Sequence, residues 1–590
     1  MIIKYVVMKN KFVISLILIL CVGVNIAQSI KSTRRNLPDF AVKYNNKMFG
    51  ENVFIFDPNM DMKEIQTLID TLYNQQHPRI SEFGLNRYAL FFKSGTYQLD
   101  IKVGYYMHII GLGESPDDVV IKGVLISKGE KNGNVTCNFW RSVENLTIAP
   151  PNGAMNIWGV SQAAPVRRVH IKGDIQLHDN GWASGGFLAD SKIDGTVFAG
   201  GQQQWFSRNV DMGKWNGGSW NMMFVGVPNA PADKWPENPY TVINETPVIR
   251  EKPYLIFENS EYMIKVPELK KNSAGVSWTN GNYHENVLPL RDFYIANANT
   301  DNAETINAAL LKGENIFLSP GIYVLDQSLK ITRPETIVIG VGMPTLVSHN
   351  GNPVVEISDV DGVTVCGLTI DAGKIPSETL FRVGETNSKN SHEKNPTFLY
   401  DIFIRVGGYG EGTTSSCMVI NSKNVYVDHT WLWRADHGNN VGWNENTSKN
   451  GLIVNGSQVT VYGLFCEHFQ EYQTLWNGND GKVYFYQSEM PYDPPTAVDF
   501  KHDSTNGYAS YKVSDGVTGH QAWGLGIYCV FFKAPVIVDQ AIETPINIEK
   551  DIHHKILYWL NGGNKESIIK SVINGKGGHV GFMNVKTVMD

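Results

Sequence analysis

A chain of 590 residues is too long for one ordinary domain, so two or more are expected. A formal charge of −7, with no Lys/Arg run, argues against nucleic acid and against polyanionic glycans as partners. The 56 glycines and 11% aromatic residues suit a turn-rich β fold.

At the N-terminus, Lys9 and Lys11 precede an apolar run over residues 12–24, and Ala27-Gln28-Ser29 offers a small-residue cleavage site. This pattern predicts a secretory leader over residues 1–27 and a secreted or periplasmic mature protein. The run is short for a transmembrane helix and no other segment could span a bilayer, so no membrane anchor is expected. Loss of the three leader lysines takes the charge from −7 to −10. The remaining cysteines, Cys137, Cys366, Cys417, Cys466 and Cys529, are odd in number and widely spaced. They form no CxxC pair, which argues against a zinc site or a disulfide framework. The histidines lack ligand spacing, and neither metal nor other cofactor is expected.

Two stretches of the chain follow the same order. Asn52–Asp57 leads into an amphipathic segment at 62–73, then to a strand ending in Ser94-Gly95-Thr96-Tyr97, then to an apolar run at 107–113. Phe293–Ile295 leads into a helical stretch at 303–311, then to Ser319-Pro320-Gly321-Ile322-Tyr323, then to 336–342. Such self-similarity predicts two homologous modules. In each, short β runs are punctuated by Gly, Asn and Asp, which suits a sandwich, a barrel or a β-helix. The long, uneven connectors favour the solenoid. The fold expected is therefore all-β: two tandem right-handed parallel β-helices of the pectate-lyase kind, each opened by a short capping helix. The first module is assigned to 40–230, a linker with the end of that module to 231–290, and the second module to 291–590.

The most pointed signal lies in the second module. Residues 461–468 (VYGLFCEH) align without gaps on 483–490 (VYFYQSEM), one coil apart. Neighbouring strands lie about 4.8 Å apart, so this register stacks Glu467 on Glu489. Two carboxylates so close repel, and at least one should hold its proton, as in a glycosidase acid/base pair. Aromatic residues crowd the same stretch, and Trp431-Leu432-Trp433-Arg434-Ala435-Asp436-His437 supplies indoles that can stack on sugars and polar groups that can bind hydroxyls. Trp433, Asp436, His437, Trp443, His468, Trp476 and Tyr492 are the candidate substrate-binding residues. In the first module, Gln162 and Ser184 also stand one coil apart.

Residues 425–437 (VYVDHTWLWRADH) and 459–491 (VTVYGLFCEHFQEYQTLWNGNDGKVYFYQSEMP) resemble, in order and spacing, the W-x-W-x-A-D-H, Y-G-x-x-x-E-H-x-x-x-Y-Q and Q-x-E-x-P-Y patterns of glycoside hydrolase family 55. That family comprises exo-acting β-1,3-glucanases built from tandem β-helices. The segments VSQAAP around Gln162 and ASGGFLAD around Ser184 are similar to the family's first-module motifs. The resemblance implies an inverting hydrolase acting on a β-1,3-glucan, its active site between the modules. Glu489 would be the general acid. Glu467 would hold the attacking water, with Gln162 and Ser184 completing that site. The chain departs from the pattern at Ser488 and Met490, which flank Glu489, and in the loop 438–450 that carries Trp443. A polysaccharide or oligosaccharide is the expected partner and a monomer the expected state. A polysaccharide lyase or a non-catalytic glycan-binding β-helix would use the same architecture.

Overall fold

In the computed structural model, residues 37–279 and 285–590 are described; the expected leader at 1–27 lies outside them. Among the described residues no helix is long and apolar enough to cross a membrane.

Parallel pairing between strands about one coil apart dominates both halves of the chain. The first half forms an 18-stranded sheet whose rungs end with Tyr240–Ile243. The segment assigned as a linker continues as antiparallel strands between Thr246 and Pro289. The second half forms a 13-stranded and an 8-stranded sheet. Five successive strands of the larger one are β1 (Thr397–Val406), β2 (Val425–Arg434), β3 (Thr460–Glu467), β4 (Gly481–Glu489) and β5 (His520–Cys529). Each pairs in parallel with the next.

Each half opens with a helix. In α1 (Met62–Gln76), the Asp61 side chain accepts from the Lys63 and Glu64 amides, and Ile65, Leu68, Ile69 and Leu72 bury one face. In α2 (Ala303–Leu311), Asn302 and Thr305 form a reciprocal capping box. The repeat read from the sequence has a matching atomic role. Tyr97 donates its hydroxyl to the carbonyls of Phe56 and Lys93, and Tyr323 donates to those of Ala296 and Ser319.

Stacked apolar columns fill the coils. Leu399, Val427, Val461 and Val483 occupy one register position in successive strands, and all are fully buried. Burying each such side chain stabilises by about 1.5–3 kcal/mol, and the stacking repeats this on every coil. A second column sits beside it. Asp401, His429, Gly463, Phe485 and Gly524 occupy matching positions in β1 to β5, and all have left-handed backbone with φ between 52° and 73°. This shared kink re-aims the end of each strand. Gly463 is required for a further reason, since a Cβ there would stand 3.1 Å from Phe206 of the first module.

The outer faces of the two coils pack on one another through a largely aromatic layer. Phe139, Trp140, Phe187 and Phe206 of the first half meet Trp431, Trp433, Phe465 and Phe485 of the second. Buried ion pairs cross the same boundary. Arg167 bonds Asp401 and Asp428, and Arg208 bonds Asp428 and Glu251. Burial disfavours the charge on both aspartates, yet Arg167 with His429 and Lys252 holds Asp401, and Arg208 with Arg167 holds Asp428, below the usual carboxylate range. Breaking such a pair leaves an uncompensated buried charge, so the pairing makes the relative position of the modules specific.

Candidate active site

The shared kink brings the C-terminal ends of β3 and β4 to the module boundary. Glu467 and Glu489 are direct register partners there. The register read from the sequence is therefore the observed one, and the two carboxylates meet different surroundings. Glu467 is buried, accepting 2.9 Å from Gln162 Nε2 and 2.8 Å from Trp431 Nε1. Glu489 keeps 15% of its side chain exposed. Its carboxylate receives the Tyr492 hydroxyl and, at 3.3 Å, the Gln487 amide. The His468 Nε2 stands 4.0 Å away.

These surroundings divide one proton between two acids. Burial pushes the Glu489 carboxyl well up, and the neighbouring charges of Glu467 and Asp436 push it further. Burial also raises Glu467, but His468 and the donors Gln162, Trp431 and Gln487 favour its ionised form. Both carboxyls are thus raised, and the surroundings favour the proton on Glu489, the more accessible of the two.

Gln162 and Ser184 stand three residues before paired strands, Pro165–Ile171 and Phe187–Ala189, in which Pro165 faces Phe187. Gln162 adopts a left-handed φ of 24°. Its carbonyl accepts from His429 Nε2 at 3.0 Å, and His429 Nδ1 bonds Asp401 at 2.9 Å. The amide that grips Glu467 is thus itself held from the second module. The Gln162 Oε1 is buried with no hydrogen-bond partner among the described residues. Ser184 is fixed through its backbone, which donates to Ser161 Oγ and accepts from Gln204 Nε2.

The binding candidates divide. Tyr492 and His468 flank Glu489, their rings in edge contact at 4.4 Å. Asp436 and His437 form a hydrogen-bonded pair on the exposed rim, and His437 Nε2 reaches Glu82 of the first module at 2.5 Å. Burial opposes charge on His437, but Asp436, Cys137 and Glu82 push it up to about 12. Burial likewise disfavours the Asp436 carboxylate, which His437 and His468 nevertheless hold low.

Two tryptophan assignments need correction. Trp476 is fully buried inside the second coil, its ring 4.6 Å from that of His520, so it offers no face to a sugar. Trp433 is buried in the inter-module layer, stacked on Phe83 and Trp431. Trp443 is half-buried, packed over Arg434 and against Phe500. Large indoles gain most by burial, and in these strands the period-two pattern directs them inward or into the boundary.

The sequence reading missed Trp431 as a partner of Glu467, and the Asp401–His429 pair behind Gln162. The signal for His429 is its place in the kink column, which glycine fills in two of the five strands. An exposed aromatic shelf was also missed. Trp182 is 54% exposed and lies 6.3 Å from Trp220. Trp220 packs on Tyr558 and Tyr528, and Tyr528 is the register partner of Glu489.

Comparison with known proteins places this architecture. A family model described as the LAM55 pectate lyase-like domain matches residues 293–489. An exo-β-1,3-glucanase of Streptomyces sp. (strain SirexAA-E / ActE) is 44% identical over 529 residues, 89% of this chain and 86% of that protein. The solved structure of sacteLam55A from Streptomyces sp. SirexAA-E superimposes with a TM-score of 0.88 at 42% identity, covering 92% of this chain and 98% of that one. A variant of the same Streptomyces protein, solved in complex with glucose, matches equally well. The chain is a glycoside hydrolase and belongs to glycoside hydrolase family 55.

Proposed function

We propose that this enzyme is exported and hydrolyses β-1,3-glucan with inversion at the anomeric carbon. Glu489 protonates the departing glycosidic oxygen, and its raised proton affinity keeps it competent near neutral pH. Glu467, as the carboxylate, takes a proton from a water that also meets Gln162 Oε1 and the Ser184 hydroxyl. That water attacks from the opposite face of the sugar ring. Inverting enzymes need about 6.5–9.5 Å between the working carboxyls. Adjacent strands are closer than that, so the two side chains must diverge, one toward Gln162 and the other toward Tyr492. The half-exposed Trp182 indole, backed by the buried Trp220, offers an apolar face for the sugars beyond the cleaved bond.

The observation that carries this reading is the unequal environment of two register-paired glutamates, one sealed against the first module and one partly exposed beside Tyr492. The substrate comes from the named activity of the Streptomyces relative. The test is digestion of linear β-1,3-gluco-oligosaccharides, with the newborn anomer followed by proton NMR before mutarotation. Initial α-anomer supports the proposal. Initial β-anomer, or unsaturated products from a lyase, would sink it.

A further inference from the structure

We propose that Glu82, Cys137 and His437 form a binding site for one thiophilic divalent cation of the zinc class. Sequence spacing does not show such a site, because its ligands come from three distant segments in two modules. In the fold, one ligand atom from each residue lies within 4.8 Å of the other two. The ligand atoms of a tetrahedral zinc, bound at about 2.0–2.3 Å, stand roughly 3.3–3.8 Å apart. The cluster is within about 1 Å of that arrangement, and the His437–Glu82 hydrogen bond is replaced by two bonds to the ion.

The surroundings are those of a metal-ligating imidazole. His437 directs Nε2 at Glu82 and Nδ1 at the Asp436 carboxylate, 2.7 Å away. A carboxylate on the far nitrogen fixes the tautomer and raises the basicity of the ligating one. Glu82 is held in turn by Arg79 Nε at 3.3 Å. The donor set of sulfur, imidazole and one carboxylate selects zinc-like ions over magnesium or calcium. Three protein ligands leave a fourth position for water. Cys137 also lines a cavity of about 450 Å³, with Arg79, Glu130 and Lys131 among its other walls, so the thiol is reachable from outside. The remaining described cysteines, Cys366, Cys417, Cys466 and Cys529, are buried in the coils and the module boundary and cannot offer this ligand without unfolding. The site borders the candidate reaction centre, since His437 stands three residues beyond the end of β2, in which Trp433 is the register partner of Glu467.

The experiment is titration of the chelator-treated full-length enzyme with Co²⁺, read by absorbance. Saturable uptake of one ion per chain, with a thiolate-to-cobalt charge-transfer band and tetrahedral-intensity d–d bands, is expected. Cys137→Ser should abolish the charge-transfer band and weaken binding at least tenfold. Cys137→His should restore binding without that band. Zn²⁺ should displace Co²⁺ from the wild type at one equivalent. Failure of the folded wild-type enzyme to bind Co²⁺ saturably, or a charge-transfer band unchanged in Cys137→Ser, would overturn the assignment.

Discussion

The Gln162 amide donates a 2.9 Å hydrogen bond to Glu467 across the module boundary, between residues 305 positions apart. Neither module alone holds a complete reaction centre on this geometry. The second supplies both carboxylates, and the first supplies the donor that keeps one of them ionised. The hydrogen bond is to a charged, buried acceptor, the kind that contributes about 1.5–3 kcal/mol. Gln162→Ala should therefore lower kcat/KM by roughly 10–150-fold. Steady-state kinetics together with a thermal melt would separate this from a folding defect, and wild-type turnover by the folded variant would remove Gln162 from the site.

Glu489→Gln should reduce kcat by about 10²–10⁴-fold on glucan, the usual contribution of a positioned general acid. A substrate whose leaving group needs no protonation, such as an aryl glucoside bearing nitro groups, should lose far less. Equal losses on both substrates would count against the acid role.

The basic limb of the pH–rate profile should report Glu489, because activity falls as that carboxyl loses its proton. Its affinity for that proton is raised by burial and by the Glu467 charge. Glu467→Gln removes the charge, so the residual activity of that variant should show its basic limb displaced to lower pH. The same logic gives a stability test. A carboxyl whose folded pKa lies above its unfolded value contributes fully below the unfolded value, about 4.3. That contribution is lost as pH rises through the folded one. Glu489→Gln should thus melt with the wild type in acid and above it at neutral and alkaline pH.

Two tryptophans should behave oppositely. Trp433→Ala empties a buried site in the boundary layer and should cost about 3–5 kcal/mol, read as a lower denaturant midpoint. Trp182→Ala should leave the melt unchanged and raise KM for long oligosaccharides, because that indole is half exposed. A stable, fully folded Trp433→Ala enzyme with only a raised KM would place that indole on the substrate instead.

Asp428 accepts from both Arg167 and Arg208 while fully buried. Asp428→Ala leaves two guanidinium groups short of a partner and should destabilise the enzyme by about 3–5 kcal/mol. Limited proteolysis should then cut first in the antiparallel segment between the modules. Unchanged protease resistance would show that the aromatic layer alone holds the boundary.

Much of the architecture is local and periodic, and periodic features are legible in a linear chain. A parallel coil repeats at a nearly constant interval, so matching strands align by inspection. Val461 over Val483 and Glu467 over Glu489 were readable for this reason. The conserved tyrosine role at Tyr97 and Tyr323 follows from the same repetition. What the tryptophans do was not readable, since composition shows an indole and not the face on which it lies. Trp433 and Trp476 look alike in sequence, yet one fills the boundary and the other the coil interior.

By itself, then, the sequence determined the coil, the register of the glutamate pair and the family. It could do so because each depends on spacings within one or two coils. Only the tertiary structure decided what surrounds each glutamate, what holds Gln162, and that Glu82, Cys137 and His437 meet. Those outcomes depend on how two β-helices dock face to face, through contacts between residues hundreds of positions apart that no local pattern encodes.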